Sequence, residues 1–141
     1  MIRGVLASRP ETLPAYFALY KLYFRQSRLG EAEAAARLAL DEAARQGGFP
    51  SDWHALESRT ASWTAVDSPA HFYLFSLKAL AFILLRQGQG AESSRILDKL
   101  AELDPSDCVG ASVIRAYAAG AAIGEPRPAW PSKRFPGQNG P

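Results

Sequence analysis

The 141-residue chain holds one cysteine, Cys108, so no disulfide can close within it. A lone thiol fits a reducing compartment and gives nothing toward secretion. Long apolar runs are missing too. The longest, Ala79 to Leu85, falls far short of the roughly 20 residues a membrane-crossing helix needs. Met1 to Ser8 lacks the apolar stretch of a secretory signal. There is also no surplus of one charge over the body of the chain. Residues 1–123 carry 13 Lys and Arg against 13 Asp and Glu, so the net +2 comes wholly from residues 124–141. A neutral body matches a phosphate backbone poorly, because such binding rests on clustered Lys and Arg. These absences point to a cytoplasmic protein with neither nucleic acid nor membrane as partner.

Groups suited to catalysis are equally sparse. His54 and His71 stand near Asp52 and Asp67, yet no pair has the close helical spacing of a metal site. Cys108 lies in no recognisable nucleophile motif. No glycine-rich phosphate loop follows a strand, since no segment reads as one. The sequence therefore predicts no metal, no cofactor and no enzyme; a small enzyme using His54 or His71 is the minor alternative.

What is abundant is helix. Apolar residues make up 48% of the chain, enough for an ordinary core. Pro14, with Thr12 as a candidate cap, opens a helix in which Tyr16, Leu19, Tyr20 and Tyr23 recur at helical spacing to about Gln26. The polar turn Ser27-Arg28-Leu29-Gly30 leads to a second helix, from Glu31 to about Gln46, rich in good helix formers. Gly47-Gly48 and Pro50 end it. Residues Phe49 to Asp67 are less regular. Ser51 is a candidate cap for a short helix there, and Phe49, Trp53 and Trp63 suit packing onto the body. Ser68-Pro69 starts the next helix, which runs to Gln87-Gly88. A further helix spans Glu92 to Leu103, and a last one runs from a cap at Ser106 or Asp107 to about Ala122. Beyond Gly124 lie five of the ten prolines, and that stretch reads as a disordered tail. Its segment Pro126 to Pro131 has the look of a polyproline stretch, one that either docks in an aromatic groove or simply remains solvated.

The two helix pairs align on a shift that carries Arg25-Gln26 onto Arg86-Gln87, Glu31 onto Glu92 and Leu19 onto Leu80. Leu77, Leu80, Ala81 and Leu84, the turn Gly88-Gln89-Gly90, then Ser93, Leu97, Leu100 and Pro105 resemble the tetratricopeptide repeat family. Tyr16, Leu19, Tyr23, Ala32, Ala36 and Ala39 take the same roles in the first pair. The resemblance covers about two thirds of the chain. It implies an all-α fold of antiparallel hairpins, about five to seven helices in a short right-handed stack. Residues 1–123 form that domain, with an insertion at about 49–67, and residues 124–141 form the tail. The chain departs from the family in this interrupting insertion, in Tyr20 and Ser93, and in Ala44 where the first repeat would end in proline. It is also similar to small bacterial repeat proteins that accompany larger machinery.

The resemblance further implies that the first helix and the one from Pro69 line a groove. Phe17, Lys21, Phe24 and Arg25 on one, and Phe75, Lys78, Phe82 and Arg86 on the other, are the candidate peptide-binding residues. Rings there would be covered by a ligand, each contributing about 1.5–3 kcal/mol, and the cations would orient an acidic segment. The expected function is an adaptor or assembly chaperone that binds another protein or peptide. The alternative is a structural module that spends its apolar face on a homodimer. The family's carboxylate clamp also uses asparagines, and the chain's single Asn139 lies in the tail, so that activity is not carried over.

Overall fold

The structure, a computed structural model, describes residues 12–121; the expectations for the tail at 124–141 lie outside them. The described residues form five α-helices and no strand: α1 Thr12–Arg25, α2 Leu29–Gly47, α3 Pro69–Arg86, α4 Gly90–Leu103 and α5 Ala111–Ala121. The chain is all-α.

Local chemistry fixes the helix ends. Ser68 has extended backbone and its hydroxyl accepts from the His71 amide at 3.1 Å, with Pro69 in the first turn of α3. Gly48 leaves α2 in the left-handed conformation, φ 75°, which costs a glycine nothing. The expected cap at Ser51 is corrected. Asp52 does that work, accepting from the His54 amide at 3.0 Å to cap a single 3-10 turn, Trp53–Ala55. The last helix also starts later than expected. The buried carboxylate of Asp104 accepts from the amides of Cys108 and Val109, at 2.9 and 3.0 Å. Asp107 and Gly110 then take positive φ, so helix resumes only at Ala111.

Both tight turns close identically. Ser27 (φ 61°) donates to the Phe24 carbonyl and Arg28 to that of Tyr23; Gly88 (φ 83°) donates to Leu85 and Gln89 to Leu84. These are the paired bonds that end a helix on a left-handed residue. Each position in the second set is the first plus 61, so the alignment seen in the sequence holds bond by bond.

The helices pack in chain order, α1 on α2, α2 on α3 and α3 on α4, while α3 also meets α1 and α5. Ala32, Ala35, Ala36, Ala39 and Ala43 form the buried face of α2, small enough to let neighbouring helices approach closely. α3 is buried along nearly its whole length. It is long and apolar enough to cross a bilayer, and 83% of it is buried within the protein.

The insertion is fastened to this body. The Tyr73 hydroxyl donates to the Ser51 carbonyl at 2.6 Å, and Lys99 Nζ to that of Leu56 at 2.7 Å. The Trp63 indole donates to Glu57, and His71 Nδ1 lies 2.9 Å from the Trp63 carbonyl. Phe49 sits edge-on between Trp63 and Tyr73.

Candidate functional site

The eight residues expected to line a groove divide into two groups. Phe17, Phe24, Phe75 and Phe82 are 6%, 7%, 3% and 1% exposed in the single chain, so the expected open furrow is corrected: these rings belong to the core. For Phe82 the reason is plain. Phe24 stacks on it at 4.9 Å and Tyr117 of α5 meets it edge-on at 5.4 Å, so the fifth helix lies where a ligand was expected. Lys78 is corrected as well. At 3% exposure it is no rim cation; its ammonium donates to the Val109 carbonyl at 2.9 Å, tying α3 to the turn before α5. Sequence reasoning placed the apolar face of α3 correctly, but gave it only one neighbour where four helices meet it.

The remaining cations stay at the surface, and two of them sit on the rings. The Lys21 ammonium lies 4.9 Å from the Phe17 centroid, and the Arg86 guanidinium 5.8 Å from that of Phe24. Arg25 is exposed one turn beyond Lys21. Partial burial lowers the Lys21 pKa, and the charge of Arg25 lowers it further. Among the described residues no carboxylate pairs with Lys21, Arg25 or Arg86. Arg28, Arg37, Arg45, Arg59, Lys99 and Arg115 each have one, whereas Arg95 on α4 has none among the described residues.

No family model, curated protein or solved structure matches this chain. What the molecule can do therefore rests on its own geometry.

Both histidines make contacts within the fold. His71 is buried against Phe75 and bonded to the insertion. His54 is exposed, stacked on Trp53 at 3.6 Å, with Nδ1 2.8 Å from the Asp52 carboxylate; that bond, with the His54 amide, holds the Asp52 carboxyl below its usual range. The pair borders a cleft of about 270 Å³ between α2, the insertion and the start of α4, lined also by Arg37, Leu40 and Asp41. Burial raises the nearby Tyr73 pKa, and the charges of Asp52 and Asp41 raise it further. Among the described residues no group of three His, Cys, Asp or Glu side chains is placed to hold a metal ion.

One surface feature escaped the sequence reading. Leu22, 43% exposed, lies on the outward side of α1 beside Ala18. Turning the first helix through its full circle would have found it, because Leu22 falls opposite the arc of Tyr16 and Tyr20.

Proposed function

We propose that this chain is a tetratricopeptide-like scaffold that holds an acidic segment of another polypeptide along its α1–α3 edge, and that it is not an enzyme. The carrying observation is the set of three surface cations, Lys21, Arg25 and Arg86, that pair with no carboxylate among the described residues, while most others there do. Two of them rest on aromatic rings, which fixes their position without neutralising them. Such cations are ready for a partner's carboxylates, at little reorganisation cost. The matched turns 61 residues apart and the chain-order packing support a repeat architecture, in which stacked helical pairs present side chains from successive first helices along one edge.

The test is charge reversal of the three surface cations together, Lys21→Glu, Arg25→Glu and Arg86→Glu. Lys78 must be left alone, because its ammonium is part of the fold. Affinity capture from cell extract, followed by mass spectrometry, should lose partners held by the wild type while the circular dichroism stays helical. Capture should also weaken as salt rises from about 0.05 to about 0.3 M. Capture indifferent to all three substitutions would remove this edge from the reading.

A further inference from the structure

We propose that the outward arc of α1 is a docking face for an acidic, amphipathic helix of a partner protein; the proposal rests on the scaffold reading above and names the form of its ligand. At about 100° per residue, Lys21, Pro14, Arg25, Ala18, Leu22 and Ala15 follow one another around roughly 120° of the helix. Pro14, Ala18, Leu22 and Arg25 are exposed, and Lys21 and Ala15 are half-buried. The arc thus joins an apolar strip to a cationic edge.

The outward faces of α2 and α4 are built differently. They carry both signs of charge, with Arg37 paired to Glu33 on α2 and Asp98 of α4 paired to Arg115 of α5, as solvated helix faces usually do. α1 holds no acidic residue at all. On α1 the exposed leucine stands beside two like charges with no acidic residue on the same helix.

Charge decides the occupant. A second copy meeting this face through a two-fold axis would bring no carboxylate to Lys21 or Arg25, because α1 holds none. Burial already disfavours the Lys21 ammonium and Arg25 adds to that, so closing such an interface would raise the penalty. A segment with carboxylates removes it. Lys21 and Arg25 stand one helical turn apart, so glutamates four residues apart on a docked helix reach both, while its leucines cover Leu22 and Ala18.

The experiment uses the full chain and two synthetic helical peptides of about 18 residues. One has leucines at helical spacing flanked by glutamates; the other has lysine in place of each glutamate. At low salt, fluorescence anisotropy should show binding of the glutamate peptide only. Amide shifts in NMR spectra should centre on Ala18, Leu22 and Arg25. Lys21→Glu with Arg25→Glu should weaken that peptide about tenfold or more and admit the lysine peptide instead. Equal binding of both peptides, no binding of either, or shifts confined to α2 and α4 would each overturn the proposal. So would a wild-type dimer in sedimentation that Leu22→Asp splits, since the face would then belong to a second copy. Failure here, with charge-sensitive capture still seen in the previous experiment, would spare the scaffold and remove only the helical ligand.

Discussion

The two hairpins share one kind of turn and fill their interiors differently. In the first, α1 is bulky, with Tyr16, Phe17, Tyr20 and Phe24 buried, and α2 answers with Ala32, Ala35, Ala36 and Ala39. Sixty-one residues on, α3 offers Leu77, Lys78, Ala81 and Leu85, and α4 answers with Ser93, Ile96, Leu97 and Leu100. Large on small has become a pairing of similar sizes. Interiors are close-packed, so volume lost on one helix must be restored on its neighbour. The arrangement also follows from position: α2 lies between α1 and α3, and both press side chains into it. Ser93 shows the same trade in polar form. It stands where the first hairpin has Ala32, and its hydroxyl donates to the Ala81 carbonyl at 2.7 Å.

The sharpest break of this comparison lies at the paired leucines. Leu80 is fully buried and Leu19 only half-buried, although they occupy the same repeat position. Leu80→Ala should cost about 2–5 kcal/mol and Leu19→Ala about 1–2 kcal/mol. Urea unfolding followed by circular dichroism measures both. Equal losses would mean that α1 is covered as fully as α3. Next in size is Ala36→Leu, which imports the second hairpin's Leu97 into the first. Because α2 has neighbours on two sides, overpacking should cost about 1–3 kcal/mol. A stabilising result would show that the alanine face is loosely filled.

Helix type and order were legible because caps, turn glycines and helical spacing are local signals. Ser68-Pro69 and Gly48 each act through atoms a few residues away. The site was legible only in part, since exposure depends on which helix arrives from elsewhere. Nothing in the spacing of Phe75 and Phe82 records that Tyr117 comes to rest on Phe82, or that Val109 offers Lys78 its carbonyl. Lys21, Arg25 and Arg86 remained at the surface because a cation's desolvation keeps it there unless a partner is supplied. The late start of α5 was hidden for a related reason. Ser106 and Asp107 look like caps, but the Asp104 carboxylate takes the Cys108 and Val109 amides, and Asp107 instead reaches ahead to the Ser112 amide at 3.2 Å in the first turn of α5.

The turns offer a smaller test. Ser27 and Gly88 both stand in the left-handed region, yet only glycine occupies it without strain. A Cβ added at Gly88 meets nothing within 4 Å, so any cost there is backbone conformation alone. Gly88→Ala should destabilise by about 1–2 kcal/mol, whereas Ser27→Gly should gain about 0.5–1 kcal/mol after the added freedom of the unfolded chain is deducted. Opposite signs from two thermal unfolding series would sharpen the equivalence of the turns. The same sign would break it.

The smallest expected effect separates the hairpins by pH. Glu42 corresponds to Leu103, and both are buried, but a carboxylate needs partners there and a leucine does not. Burial pushes the Glu42 carboxyl up; hydrogen bonds from Arg45 and from the Gln46 amide (2.7 Å) more than offset this, so its pKa lies below the usual value. A carboxyl depressed in the folded state contributes stability above its unfolded pKa, about 4.3 for glutamate, and loses it as pH falls through the folded value. Arg45 is more than half exposed, which screens the pair and holds the contribution at neutral pH to about 1 kcal/mol or less. Glu42→Gln should therefore lower stability slightly at neutral pH and flatten its decline below about pH 4. Urea midpoints taken across that range check it. Parallel pH curves for wild type and variant would mean that the first hairpin tolerates its buried carboxylate as indifferently as the second keeps its leucine.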